Sequence, residues 1–437
     1  MPRAVVVAVL LLASCQFKEP ADQADAAVDA PPPECEANTQ VCVADRFTAC
    51  GPDGRFVRHE VPNGGPAGEP ITLVMDEYDC PLGCHATEPR CAAFDPLYDT
   101  GPFAADDAPD VALLDSNGSR LVVVTDTDVS SGELTLTDAS GAAFRLPARV
   151  VAQPDGPEIL VLHARSLTIG ADMHLYATGR RALAFVVNLD VWVAGKLDAS
   201  GWNVGAGFHP TQACQGAAAN VASGGGGNVT VGGGSSLGTN GGPALGSLDP
   251  PWPLQGGCTS GQLESRGGGL PGGALLLASA TKVTIAEGGL VTVAGGPGRA
   301  FVSPIDGTSK AGGGGSGGAI AIDAPVVSIA IGARLNGQGG SGAAAVHAVD
   351  GARQDGLAGD HDVASTTVPG ARCTGCGTGG DGASRTTSPG RGSGVAPAIA
   401  GGGGALGRAR IRTRTGTLLP PLEALQIAHR LEPLLTR

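Results

Sequence analysis

Aromatic residues make up only 3% of the 437-residue chain and charged residues 16%, with three methionines and three tryptophans in all. A conventional helical or α/β enzyme domain fits such a composition poorly. No apolar stretch reaches the ~18 to 20 residues that a membrane-spanning helix requires. Positive charge is also scarce: 28 Lys and Arg stand against 41 Asp and Glu, for a net charge of −13. With no basic run interleaved with aromatics, nucleic acid is not an expected partner. What the chain has in excess is glycine, 72 residues, of which 57 fall between positions 201 and 410. The 42% of hydrophobic residues nevertheless supplies material for a core, unlike a disordered Gly-rich chain.

The N-terminus reads as an address. Arg3 and the unbroken apolar run Ala4 to Leu12 have the form of a secretory signal peptide. Leu12-Ala13-Ser14-Cys15 resembles the bacterial lipobox, which implies a signal peptide over 1–14 and a lipidated Cys15. An ordinary signal peptide with an incidental cysteine is the competing reading. Three acyl chains on one residue, at about 0.8 kcal/mol per buried CH₂, would anchor the protein without spanning the membrane. Residues 15–33 lack periodicity and large apolar groups after the cysteine and read as a disordered Asp/Ala/Pro tether. Gln16 replaces the Asp that favours inner-membrane retention, so an outer-membrane lipoprotein, exported and with its folded part held off the membrane, is the expected location.

The remaining ten cysteines are an even number, as an exported disulfide-bonded protein requires. Cys35, Cys42, Cys50, Cys80, Cys84 and Cys91 cluster within 34–95, which reads as a small disulfide-rich module with its connectivity open. Zinc is the alternative, but no Cys-x2-Cys pair is present there. Cys214, Cys258, Cys373 and Cys376 lie in Gly-rich stretches. Cys373 and Cys376 have redox CxxC spacing but lack the following helix that would activate a thiol. Two loop-stapling disulfides are expected, and Cys214 with Cys258 and Cys373 with Cys376 is the simplest pairing by sequence distance.

A recurring unit organises the rest. Ile159 to Ala164 with Leu167 to Ile169, Leu183 to Asn188 with Val191 to Val193, Ala274 to Ser279 with Val283 to Ile285, and Ala319 to Ala324 with Val327 to Ile329 each pair two short β-rich segments across a corner. A glycine follows (Gly170, Gly195, Gly288, Gly332), then a third short stretch. Arg408 to Thr413 is a degenerate fifth copy. Three short strands per unit, with glycine at the corners, predict an all-β chain: a right-handed parallel β-helix over 110–420. Gly-rich insertions at 201–269, 296–315 and 339–404 are expected to leave the coil as mobile loops. A β-sandwich with disordered insertions and a glycine-rich helical lattice are the competing architectures. Residues 115–153 read as first strands or a cap, and 421–437 as a C-terminal helical cap.

Chemistry-bearing motifs are sparse. Gly314-Gly-Ser316-Gly-Gly318 satisfies the GxSxG elbow, and Gly312, Gly314 and Gly317 the dinucleotide fingerprint, but neither has the strand-to-helix context it needs. Asp355, Asp360, His361 and Asp362 are the densest set of metal-capable side chains, for which a solvated loop is the simpler reading. No cofactor is expected. His163 and His174 should face outward from strands. A polysaccharide lyase or hydrolase would need carboxylates at matching positions on successive coils. Asp190, Lys196, Asp198, Lys282, Asp323 and Arg334 do not make such a ladder: Asp198 matches His174 on one side and Thr292 or Asn336 on the other.

Taken together, the lipobox, the tether, the Cys-rich module and repeats of the form GGGSGGAIAIDAPVVSI with GARLNGQGGSG resemble the glycine-rich lipoproteins of the myxobacterial type, found in predatory and gliding soil bacteria. The resemblance spans most of the chain and implies architecture and address. It carries no catalytic residues. The expected function is therefore that of a lipid-anchored cell-envelope surface protein with a structural or adhesive role, more plainly a non-enzyme than an enzyme. Its expected partners are the membrane, through the lipid anchor, and a polysaccharide or another surface protein. The alternative is a β-helix carbohydrate-active enzyme.

Overall fold

The computed structural model describes residues 94–100, 108–113, 120–137, 143–201, 206–207, 214–245, 252–264, 266–360, 367–415, 418 and 425–434, and the backbone of five short strands between 40 and 79. The signal peptide, Cys15, the tether and the side chains of Cys35, Cys42, Cys50, Cys80, Cys84 and Cys91 lie outside the described residues, as do His361 and Asp362. The chain divides into two units. In the smaller, His59–Gly64 pairs antiparallel with Pro70–Met75. All that follows concerns the larger, which includes residues 79–437.

The larger unit is all-β: its only helix among the described residues is the 3-10 turn Leu97–Asp99. Three sheets run through it. Ile159–Ala164, Ala182–Val187, Ala274–Ser279, Ala319–Asp323, Arg408–Thr413 and Ala428–Pro433 stack in parallel in the first. Asp110–Leu113, Ser166–Ile169, Val191–Val193, Lys282–Ile285 and Val326–Ile329 do so in the second. Arg120–Val124, His174–Thr178, Lys196–Asp198, Leu290–Thr292, Arg334–Asn336 and Leu425–Gln426 form the third. Between residues 159 and 336 the chain visits the three sheets in this order four times, each time one rung along. The rungs are the sequence repeats, although their register is finer than the sequence comparison gives: Leu183 sits beside Leu160, not Ile159.

Register explains the residue choice. A strand points alternate side chains to opposite faces, and Leu160, Leu183, Leu275 and Ile320 repeat in one inward column of the first sheet. With Leu167, Val191, Val283 and Val327 from the second sheet and Leu175, Leu197, Val291 and Leu335 from the third, they build a single buried core. Each buried Leu or Val contributes about 1.5 to 3 kcal/mol. The first sheet is buried on its other face too, where Ile159, Val161, Ala184, Leu276 and Ala321 pack with Trp252 and Leu254. Both faces are dry, so these strands read as continuous apolar runs instead of alternating ones. Leu97 and Tyr98 also pack on that face, where Asp323, gripped by Arg412 of the adjacent strand through two hydrogen bonds of 2.7 and 2.8 Å, accepts the Leu97 N–H at 2.7 Å.

Both ends of the first sheet are closed by strands. Ala143–Val151 pairs antiparallel with Ile159–Ala164, and Glu133–Thr137 with Ala143–Val151, so the region expected to give first strands or a cap supplies strands. The helical cap over 421–437 is corrected: Leu425–Gln426 and Ala428–Pro433 are strands. Leu425 and Ile427 are spaced by two, which buries both side chains from an extended chain, and Ala428–Pro433 adds a rung beside Arg408–Thr413.

The Gly-rich insertions are the second correction. Their described residues do not leave as loops; they pack on one another through backbone hydrogen bonds with a period of three. Gly401, Gly404 and Gly407 donate to the carbonyls of Ala343, Gly340 and Gly337, while Gly402 and Ala405 donate to Ser223 and Gly226. Gly312, Gly315 and Gly318 donate to Arg299, Gly296 and Val293, and Gly314 and Gly317 to Gly402 and Ala405. Three residues per repeat is the period of the polyproline II conformation, which has no internal hydrogen bonds and must satisfy its amides on neighbours. Glycine is required because the segments approach backbone to backbone: a Cβ on Gly340 would overlap the Gly296 carbonyl, and one on Gly404 the Gly315 carbonyl. The glycine-rich lattice and the parallel sheets, alternatives from sequence, coexist in one unit.

Candidate functional site

A cleft of about 450 Å³ opens on the outer face of the third sheet, lined by Arg120, Val122, Tyr176, Thr178, Lys196, Asp198 and Asp360. Its side chains come from three adjacent rungs. Arg120, His174 and Lys196 share one outward column, and Val122, Tyr176 and Asp198 the next. The matched position to Asp198 is therefore Tyr176, not His174, which corrects the sequence comparison by two residues. Thr292 and Asn336 do follow in the same column. The lattice covers that column on later rungs, where Thr292 and Asn336 are fully buried. Asp360, from the third Gly-rich insertion, lines the cleft beside Asp198.

The charges in the cleft neutralise one another. Lys196 Nζ lies 2.7 Å from Asp198 Oδ2 and 3.1 Å from Asp360 Oδ2, and both carboxylates are almost inaccessible, at 2% and 3% side-chain exposure. His174 Nε2 is 2.9 Å from Asp198 Oδ2, and the Ser200 N–H donates to Asp198 Oδ1 at 2.8 Å. Burial pushes the Asp198 carboxyl up, but hydrogen bonds from His174, Lys196 and Ser200 and the Lys196 charge outweigh it and hold it at about 2. Burial likewise pulls Lys196 down, and its two carboxylates more than reverse this. The His174 ring stacks on Tyr176 with centroids 3.6 Å apart, and the Arg120 guanidinium lies 5.8 Å from the Tyr176 centroid.

Asp198 and Lys196 are themselves poorly suited to act as a general acid or base. A general acid or base works best with a pKa near the operating pH, whereas Asp198 is fixed as the anion and Lys196 as the cation. The groups left open to the cleft are the Tyr176 ring and the Arg120 guanidinium.

The remaining candidates are scattered. Cys214 pairs with Cys258 and Cys373 with Cys376, with Cα separations of 5.7 and 5.1 Å, the pairing that sequence distance favours. Asp355 Oδ1 accepts the Ala300 N–H at 2.7 Å. Asp355 and Asp360 thus serve different neighbours, and among the described residues no three His, Cys, Asp or Glu side chains converge on a metal position. Asp360 is packed and ion-paired, not solvated in a mobile loop. Asp190 accepts from Thr281 Oγ1 at 2.6 Å. Ser316, of the GxSxG match, is buried in the lattice and its Oγ accepts the Cys258 N–H at 2.7 Å. His163 faces outward from the first sheet, and burial holds its pKa below the usual value. Arg120 and Tyr176 were missed from sequence; outward alternation in the correct register of the third sheet would have found them.

Comparisons of the chain with family models, with curated proteins and with solved structures give no match.

Proposed function

We propose that this protein is an exported, lipid-anchored surface protein whose three sheets form a right-handed parallel β-helix, and that it holds a polysaccharide without turning it over. The observation that carries the reading is the clamp of Lys196 on Asp198 and Asp360. It leaves Tyr176 and Arg120 at the cleft mouth as a ring face and a hydrogen-bond donor, the pair that sugar rings and hydroxyls need. The rigid lattice beside the cleft supports an adhesive role, because a preorganised surface loses little freedom on binding. The lipobox and the missing Asp after Cys15 support attachment to the outer membrane.

One observation favours the alternative, a carbohydrate-active enzyme: a histidine oriented by a buried carboxylate is a common element of active sites. Incubating the purified chain with polysaccharides separates the two readings. Retention in polysaccharide-containing gels that weakens at least tenfold in Tyr176→Ala, with no reducing or unsaturated ends released, supports binding. Sustained release of ends that His174→Ala abolishes refutes it. Replacing Cys15 with Ala should move the protein from the membrane to the soluble fraction, and unchanged membrane association would refute the anchor.

A further inference from the structure

A second cleft of about 540 Å³ lies among the Gly-rich insertions, where Gly267 and Gly268 line it together with Gln262, Arg266, Arg299, Phe301 and Asp355. Its frame is held by backbone hydrogen bonds. Leu263 and Arg266 exchange N–H···O=C bonds of 3.1 and 2.7 Å across a tight turn, with Glu264 at φ 50°. The Arg299 N–H donates to the Gly267 carbonyl at 2.9 Å, which sets the two arginine-bearing segments side by side. Phe301 fills the space above Gly267, where a Cβ would strike its ring.

The other charges beside this cleft are already committed. Glu264 holds Lys310 and accepts from Ser303 Oγ, and Asp306 accepts from Thr308 and lies 3.7 Å from Lys310. Arg266 and Arg299 are exposed and make no ion pair among the described residues. We propose that this cleft binds the carboxylate-bearing sugars of an acidic polysaccharide, a uronic-acid polymer. The proposal rests on the polysaccharide-binding reading and names the chemistry of the polymer.

The complement of groups matches such a sugar. A guanidinium presents a fixed fork to a carboxylate. The Phe301 ring offers a flat apolar face to a pyranose, and Asp355 and Gln262 accept or exchange hydrogen bonds with hydroxyls. With a net charge of −13, the chain repels dense polyanions at long range, which disfavours nucleic acid and leaves short-range paired contacts to select a sparser one. Asp355 lines this cleft and Asp360 the other. The five-residue step between them spans at most about 17 Å of extended chain, so these two lining residues lie no farther apart than that.

The test is affinity electrophoresis of the full chain in gels containing polygalacturonate or the same polymer fully methyl-esterified. The expected result is retention by polygalacturonate, at least tenfold weaker retention by the ester, and at least a tenfold loss in the double variant Arg266→Ala/Arg299→Ala. An Arg266→Lys/Arg299→Lys variant should recover only part of the affinity, and equal circular dichroism and melting temperature show that each variant is folded. Equal binding of the ester, or binding unchanged in the double alanine variant while Tyr176→Ala lowers it, overturns the acidic site and leaves polysaccharide binding standing. No retention by either polymer at low salt overturns both.

Discussion

Asp198 and Asn336 stand in one column of the third sheet with Thr292 between them, and each accepts the backbone N–H of the residue two further on. Asp198 takes Ser200 at 2.8 Å, Thr292 takes Ala294 at 3.3 Å, and Asn336 takes Gln338 at 3.1 Å. Such side-chain turns redirect a chain at a strand end. Each of the three Gly-rich insertions begins directly after one of them. Asn336 also donates to the Gly359 carbonyl at 3.2 Å, fastening the lattice to the sheet. Asn336→Ala strands buried backbone groups and should destabilise the protein by about 1 to 3 kcal/mol, read as a lower midpoint in urea unfolding.

Asp198 makes stability depend on pH in a defined window. Its folded pKa, about 2, lies below its ordinary value of 3.8. A depressed carboxyl stabilises the fold above the unfolded pKa and loses that contribution as pH falls through the folded one. About 2 kcal/mol should therefore disappear between roughly pH 4 and pH 2. Asp198→Asn should be less stable at pH 7 and show a shallower decline across that interval in the same unfolding assay.

Two glycines should respond differently to alanine. At Gly340 the added methyl meets the Gly296 carbonyl in a packed lattice, so Gly340→Ala should cost about 3 kcal/mol or more. At Gly288 nothing lies within 4 Å of the new Cβ, and only the φ of 77° is unfavourable. Gly288→Ala should cost about 1 to 2 kcal/mol. Thermal melting of both variants measures the contrast, and equal losses would refute close packing of the lattice.

The two disulfides should differ by loop size. The Cys214 to Cys258 bond closes a sequence separation of 44, and the Cys373 to Cys376 bond one of 3. Chain entropy assigns about 4 kcal/mol to the first and about 1.5 kcal/mol to the second. Melting of the Cys214→Ala/Cys258→Ala and Cys373→Ala/Cys376→Ala variants should follow that order.

The repeating strands were legible because inward positions must be apolar on every rung, and Leu167, Val191, Val283 and Val327 align by inspection. The first-sheet register was harder, since Ile159–Ala164 is buried on both faces and its alternation is erased. The C-terminal strands are disguised in the sequence because Leu422, Leu425 and Ile427 satisfy a short helical spacing, whereas Leu425 and Ile427 alone satisfy the strand spacing. The lattice is harder to read from sequence: its hydrogen bonds join residues far apart in the chain, such as Gly226 with Gly314 and Gly314 with Gly402, and glycine carries no side-chain pattern to betray them. The cleft shares that origin, since Lys196 and Asp360 meet across 164 positions.

The three-residue period of the lattice also sets how its segments can change length. Adding or removing three residues returns every later amide to the neighbour it faced before, shifted by one turn. Adding one or two rotates the segment so that its donors face the wrong strand. Viable length variants of the stretches around Gly312–Gly318 and Gly401–Gly407 are therefore those that differ by whole triplets.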